Sequence, residues 1–327
     1  MAYAPIAADR PVRWGILGCG NIAGTVAGAI RAVDGAVLAA VASRDPAKAE
    51  AFAGTAGARR WFGGYEALVA SDEVDIVYVA TPPSRHAADV ALCLAAGKHV
   101  LCEKPFALTS AETRTMIDTA RDRGLFLMEA LWTRFLPSIG KLEALVRGGR
   151  IGTPRLLIAG GAFRPQYDPA YYLFDPALGG GVMRDAGIYL LHAAHWLLGA
   201  PETVLAAGHG DRGVDVQDAV LLRYPGGALG VLYVSMEAQQ PPYLELLGDK
   251  GSLKLAPPVF NPSGLHYVGA GGESQSWSFK ADASGYAHEI AEAVACLRAG
   301  RQQSERLSWA DSLAVMTTLD KVMAQLP

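Results

Sequence analysis

Four groups of residues in this chain have the types and spacing that chemistry needs. The first is Gly18-Cys19-Gly20-Asn21-Ile22-Ala23, which closes an apolar run and opens a helix-like segment. Glycines placed there let the backbone turn tightly and approach a pyrophosphate. The helix that starts there offers unpaired N–H groups and the positive end of its dipole. A strand-to-helix turn without a ligand uses the same residues. The place of this one, after the first strand and at the head of a βαβ unit, favours a dinucleotide. The second group, Ala42-Ser43-Arg44-Asp45, ends the next strand. An acid at this point would accept from both ribose hydroxyls of NAD; Ser43 and the guanidinium of Arg44 instead suit a 2′-phosphate, which favours NADP over NAD. The plainer alternative is a solvated Arg44 beside an Asp45 that only caps a helix.

The third group is Glu103-Lys104-Pro105 in "HVLCEKPFALT". An ammonium held beside a nicotinamide can polarise a hydroxyl or pass a proton; a surface salt bridge is the other use of such a lysine. Glu103 either holds that ammonium or turns outward. The fourth group lies in "FDPALGGGVMRDAGIYLLHAAHWLLG", where Asp185 and Tyr189 are four apart and His192 is three further on. That spacing predicts one helical face. Leucines and a tryptophan crowd the rest of the helix, so the polar stripe is expected to line a cavity. His192 either joins that lining or packs as a satisfied core histidine.

The elements that must position these groups divide the chain in two. Through residues 1–130, β-branched runs ("VRWGIL", "AVLAAVAS", "VDIVYVAT", "KHVLCEKP", "LFLMEA") alternate with Ala-rich helical stretches. Strands that are apolar throughout belong to a parallel sheet covered on both faces, so this half reads as an α/β, doubly wound, Rossmann-type dinucleotide domain. Asp45-Pro46 and "TSAE" (Thr109 to Glu112) mark helix starts, and Ala96-Gly97 marks a helix end. Residues 131–327 read as an α+β domain for substrate and for oligomerisation, built on a large, mostly antiparallel open sheet. After a helix in "LPSIGKLEALVRGGRIG", the hairpin "VDVQDAVLLRYPGGALGVLYVSME" is its clearest part, followed by "YLELLGDKGSLKLAPP" and "SQSWSFKA". Helices are expected over residues 183–198, 285–298 and 309–325.

Composition narrows the function classes. A formal net charge of -3 without a basic cluster argues against nucleic acid and anionic membrane surfaces. The longest apolar stretches are strand-length, so no bilayer span is expected. The lead-in "MAYAPIAADRPVRW" has no signal-peptide pattern and reads as a short flexible segment. Cys19, Cys93, Cys102 and Cys296 lack paired spacing, which speaks against a disulfide framework or a zinc site and for the cytoplasm. The one close histidine pair, His192 and His195, has no third ligand beside it, so no metal site is expected.

"GILGCGNIA", "VATPPSRHAADVALCLAAGKHVLCEKP" and "MEALWTRFLP" together resemble the Gfo/Idh/MocA oxidoreductase family over nearly the whole chain. The resemblance implies that Lys104 contacts cofactor and substrate, and that Thr81, Pro82 and His86 belong to the loop bordering the cofactor. Tyrosine at position 189, where many members carry histidine, resembles the subgroup of dihydrodiol dehydrogenase, D-xylose dehydrogenase (NADP) and glucose–fructose oxidoreductase. It implies Tyr189 as the acid/base, Asp185 beside it, and Lys104 lowering the phenol from its ordinary value of ~10. Trp132, Arg134 and Phe163 become pocket-wall candidates, with ordinary core packing as the alternative for each. Arg184 and His192 depart from the residues usual at their positions. The expected activity is NADP-dependent hydride transfer with a sugar or cyclic diol hydroxyl, D-xylose-type oxidation first and a trans-dihydrodiol second. A non-catalytic NADP-binding sensor is the rival, and a homodimer or homotetramer the expected assembly.

Overall fold

The computed structural model describes residues 3–280 and 285–327; Met1 and Ala2 of the lead-in and Ala281 lie outside the described residues. Its first sheet is built from β1 (Val12–Leu17), β2 (Ala36–Ala42), β3 (Arg60–Phe62), β4 (Ile76–Val79), β5 (His99–Glu103) and β6 (Leu127–Ala130). They lie in the order β3-β2-β1-β4-β5-β6 and all pair in parallel. The connecting helices are α1 (Asn21–Ala32), α2 (Pro46–Ala56), α3 (Tyr65–Val69), α4 (His86–Ala95) and α5 (Ser110–Arg123). Burial on both faces explains the unbroken apolar runs: Trp14, Ile16, Tyr78 and Leu101 are fully buried. Each such side chain contributes roughly 1.5–3 kcal/mol. The cap signals hold. Asp45 accepts from Ala47 and Lys48 N–H, Thr109 accepts from Glu112 N–H, and Gly97 takes a positive φ just past α4. The edge strand β3 has no apolar run of its own and exposes Trp61, so the sequence pattern does not announce it.

The second sheet follows α6 (Pro137–Arg147). It comprises β7 (Pro154–Ala162), β8 (Thr203–Asp211), β9 (Val214–Arg223), β10 (Leu229–Ser235), β11 (Gln240–Gly248), β12 (Gly251–Leu255), β13 (Gly264–Gly269) and β14 (Ser274–Ser278). Between β7 and β8 lies α7 (Ile188–Leu198), which packs on β7 and β10. The order is β14-β13-β12-β11-β7-β10-β9-β8, antiparallel except where β10 runs parallel to β7. Along β9 the inward Val220 and Leu222 alternate with the outward Leu221 and Arg223. This is the pattern of an antiparallel sheet covered on one face.

Two further helices, α8 (Tyr286–Arg298) and α9 (Trp309–Met323), complete the chain. The compact units do not follow the chain as successive halves. One is Met1–Trp132 with Ser284–Ser312, the other Thr133–Ala283 with Leu313–Pro327. α8 joins the first unit because its apolar face packs on α1, and Trp309 Nε1 donates to Leu127 O at 2.8 Å. The described part of the lead-in, expected to be flexible, is instead pinned to this unit. Ile6 is buried, Ile6 N–H donates to Leu297 O at 3.2 Å, and Tyr3 OH donates to Arg301 O at 2.9 Å.

The Tyr3 ring also rests on His99, 4.1 Å between centroids, and His99 Nδ1 accepts from Phe126 N–H at 3.1 Å. Burial holds the imidazole down at about 4 although Asp75 pulls the other way. A base depressed in the folded state stabilises it fully above the unfolded value near 6.5, and that contribution is lost as pH falls towards 4. Urea unfolding should therefore show a loss on the order of 2 kcal/mol between pH 7.5 and 5. His99→Gln should flatten that slope; an unchanged slope would assign it to other groups.

Candidate active site

β1 ends at Gly18 next to β4, where the strand order reverses, and this is the crevice in which such sheets bind ligands. Gly18 has φ +93, and a Cβ there would lie 2.8 Å from the Ala80 carbonyl oxygen, so only glycine fits. Gly20 is the N-cap of α1; no side chain caps the helix, and a Cβ on Gly20 would meet nothing within 4 Å. Asn21 and Ile22 form its first turn, and half-buried Cys19 lies with its Sγ 3.6 Å from Ala42 O. The open cradle at an uncapped helix start fits a pyrophosphate. At the end of β2, Ser43 is buried and accepts from Asp45 N–H at 3.2 Å, while Asp45 caps α2. Arg44 is exposed and makes no ion pair among the described residues.

The loops after β4 and β5 are tied to each other by His86, whose Nε2 lies 2.8 Å from Thr81 O and whose Nδ1 lies 2.8 Å from Pro105 O. Burial lowers its pKa, against the two carbonyl groups, which raise it. Thr81 donates to Asp89 at 2.8 Å, and Pro82 precedes the turn at Pro83–Arg85. Glu103 neither reaches out to solvent nor sits idle: Tyr78 OH donates to its Oε1 and the Lys104 backbone N–H to its Oε2 at 3.0 Å. Its side chain thus locks the backbone from which half-buried Lys104 projects. Burial, then Glu103, pushes the Tyr78 phenol well up, so it stays a donor. One strand over, Glu129 accepts from Phe106 N–H at 3.1 Å and Ser312 Oγ at 2.6 Å. Trp132 stacks on Tyr286 with centroids 4.7 Å apart.

In the other unit the expected single helix over residues 183–198 begins differently. Met183–Gly187 form a π-helical turn before α7 starts. Asp185 lies on that wider turn, and Tyr189 and His192 lie on α7, so the three do not share one regular 3.6-residue face. Gly187 leaves room there for the Met183 side chain, with which a Cβ would collide. Tyr172 OH donates to Asp185 Oδ1. The half-buried Tyr189 ring meets Phe260 at 4.9 Å, and His192 is buried. His195 Nε2 lies 2.7 Å from Thr318 Oγ1. No group of three or more potential metal ligands occurs among the described residues. Arg134 forks onto Glu143 at 3.0 and 3.1 Å and covers Trp196, a buried clamp that holds α6 to α7. Phe163 is half-buried directly after β7.

The first unit therefore collects Gly18, Cys19, Gly20, Asn21, Ile22, Ser43, Arg44, Thr81, Pro82, Glu103 and Lys104 at the carboxyl edge of its sheet. The second carries Asp185, Tyr189, His192, Arg134 and Phe163. Tyr78, Glu129, Tyr172, Phe260 and Tyr286 support these groups, and none stands out in the sequence. The signal that could have found Tyr78 and Glu129 is a polar atom inside an otherwise apolar parallel strand.

A glycine loop at the switch point of a parallel sheet, with a second unit built on an open sheet, defines a dinucleotide-dependent oxidoreductase. Residues 12–131 match the family model described as "Oxidoreductase family, NAD-binding Rossmann fold", and residues 139–254 match "GFO/IDH/MocA C-terminal domain". The chain belongs to the Gfo/Idh/MocA oxidoreductase family. It is 33% identical over 323 residues to a trans-1,2-dihydrobenzene-1,2-diol dehydrogenase of Bos taurus, covering 95% of this chain and 96% of that one. To the D-xylose 1-dehydrogenase (NADP(+)) of Hypocrea jecorina it is 31% identical, covering 96% and 92%. The structure of KijD10, a 3-ketoreductase from Actinomadura kijaniata in complex with NADP and TDP-benzene, superposes with a TM-score of 0.88 at 28% identity over 97% of this chain and 98% of that one.

Proposed function

We propose that the protein is an NADP-dependent dehydrogenase that moves hydride between the nicotinamide and a hydroxyl-bearing carbon of a sugar, with D-xylose-type aldoses the first choice. The observation that carries this reading is the presence of two reactive side chains, Lys104 on a backbone locked by Glu103 and Tyr189 on α7. A non-catalytic sensor would need neither. When bound, the nicotinamide supplies the hydride acceptor. Tyr189 takes the hydroxyl proton, Asp185 and Tyr172 fix the turn that leads into its helix, and Lys104 supplies the ammonium that borders the cofactor. Gly18 to Ile22 hold the pyrophosphate, and Thr81, Pro82 and His86 shape the loop beside it. Arg44, exposed and not engaged in an ion pair, takes the 2′-phosphate with its fork of donors.

A cyclic trans-dihydrodiol is the second substrate reading, favoured by the stacked Trp132 and Tyr286, whose ring faces suit an unsaturated ring. Phe163 and His192 complete the substrate contacts in this proposal; Arg134 remains a structural clamp. Four unpaired cysteines suit the cytoplasm, and no helix among the described residues is long and apolar enough to cross a membrane.

The open sheet face is proposed to pair with a second copy, as a homodimer or a dimer of dimers. Leu205, Leu221 and Val231 stand side by side on β8, β9 and β10 and are 54%, 39% and 39% exposed, an apolar row that one copy leaves in water. Light scattering at micromolar concentration should find an oligomer, and Leu221→Lys should shift it towards monomer. A parent protein that is monomeric throughout would end this proposal.

Arg44→Ala should weaken NADP binding by about 1.5–3 kcal/mol, read by fluorescence titration, with little change for NAD. Equal losses for both cofactors would leave Arg44 without a role in the choice. Tyr189→Phe keeps the ring against Phe260 and removes only the titrating atom. Turnover of D-xylose, or of trans-1,2-dihydrobenzene-1,2-diol where the parent prefers it, should fall roughly 10²–10⁴-fold with NADP binding intact. Activity within a few-fold of the parent would take Tyr189 out of the mechanism.

A further inference from the structure

Two acids on β9 stand apart from every group discussed above. Asp215 and Asp218 are three residues apart, a spacing that in a regular strand points side chains to opposite faces. Both are nonetheless buried, each 2% exposed. The reason is a bulge. His209 pairs with Gln217 and Gly210 with Asp215, which leaves Val216 as an extra residue, so Val214, Asp215 and Val216 are buried in succession before alternation resumes. The bulge turns both carboxyl groups towards the side that α7 covers. Small residues make room for them: a Cβ on Gly181 would collide with Asp215 Oδ1, and a Cβ on Gly208 with Asp218 Oδ1.

Asp215 has a specific task there. Its Oδ2 accepts from the Met183 backbone N–H at 2.6 Å, the first N–H of the π-turn that carries Asp185 and leads into the helix of Tyr189. The approach depends on Gly181, which adopts φ +108 and donates its own N–H to Leu173 O at 2.9 Å. Helices that begin without a local side-chain cap leave their first N–H groups in need of acceptors, and Val182 caps nothing. A carboxyl from a distant strand fills that need here.

We propose that Asp215, backed by Asp218 across the bulge, is a positioning residue that clamps the first turn of the tyrosine-bearing helix and so sets where Asp185 and Tyr189 stand. The proposal rests on the reading of Tyr189 as the proton-transfer group. Burial first, and then the neighbouring Asp215, pushes the Asp218 carboxyl up to about 9. That shift lessens the repulsion that two carboxylates on one face would bring. Two acids can thus lie side by side against one helix start. Because α7 is a continuous helix, a shift at Met183 is carried along it to Tyr189.

The test compares Asp215→Ala, which removes the acceptor, with Asp215→Asn, which keeps an amide oxygen of the same length. Two readouts are taken on each folded variant: amide hydrogen exchange over residues 183–192, and kcat and KM with D-xylose (or trans-1,2-dihydrobenzene-1,2-diol) and NADP. Asp215→Ala should exchange faster in that segment and lose kcat roughly 10–100-fold, the order expected for a displacement near 1 Å, with KM and NADP affinity within a few-fold. Asp215→Asn should restore most of both. If Asp215→Ala does not fold, Asp215→Glu, which displaces the acceptor by one methylene, is read in its place. Parental kcat in the alanine or glutamate variant, alongside an inactive Tyr189→Phe, overturns the clamp and leaves the tyrosine reading standing. An active Tyr189→Phe overturns both. Lowered thermal stability with unchanged exchange and kcat would reduce Asp215 to a fold residue and overturn the proposal as well.

Discussion

Because all six strands of the first sheet run parallel, their carboxyl ends fall on one edge. The chain therefore delivers Gly18, Ser43, Thr81 and Lys104 to the same line although many residues separate them. This constraint organises the whole cofactor half. A parallel ladder satisfies the strands, but the loops beyond it have no ladder partners. What remains to be arranged is how each loop leaves its strand. Gly18 does this by a close approach to Ala80 that excludes any Cβ, and Lys104 by the carboxyl of the residue before it.

The second unit answers a different constraint. An antiparallel sheet covered on one face has no common edge of strand ends, and the polar residues Tyr189 and His192 of this unit lie instead on a helix across it. α7 is that helix, and its leucines anchor it on β7 and β10. The π-turn in front of it gives Asp185 a direction that a regular helix would not, and Tyr172 holds it there.

Much of this was legible in the sequence because the signals are local. Unbroken apolar runs marked β1, β2, β4, β5 and β6, and Asp45-Pro46, Thr109 and Gly97 marked helix ends by their own hydrogen bonds or backbone angles. The Pro225-Gly226-Gly227 turn placed β9 and β10 in register. What was not legible depends on distant partners. β3 is a strand only because β2 offers it a ladder, and Tyr3 is pinned only because His99 and Arg301 await it. The π-turn could not be read from Met183-Arg184-Asp185-Ala186-Gly187, since the residue that grips its start comes from β9. The Arg134 guanidinium bonds Glu143 and covers Trp196, contacts that its place in the motif does not announce.

One device recurs along the chain: a carboxyl oxygen takes a backbone N–H. Glu103 does so at Lys104, Glu129 at Phe106, Asp215 at Met183, Asp75 at Arg13 and Asp249 at Thr153. An acid suits the task better than an amide or hydroxyl because its oxygens only accept when ionised, and its bonds to N–H are the stronger kind. The cost is desolvation, which grows with burial. That cost is lowered differently at each place. Asp75 has two arginines, which outweigh burial and draw it down to about 2. Glu103 has the Tyr78 phenol. Where arginines serve, the segment is at the surface and ordinary. Where a phenol serves instead, at Glu103, the acid gains a donor without a second charge beside the Lys104 backbone. The partner of each buried acid thus differs between the arginine-paired surface segment at Asp75 and the phenol-paired backbone from which Lys104 projects.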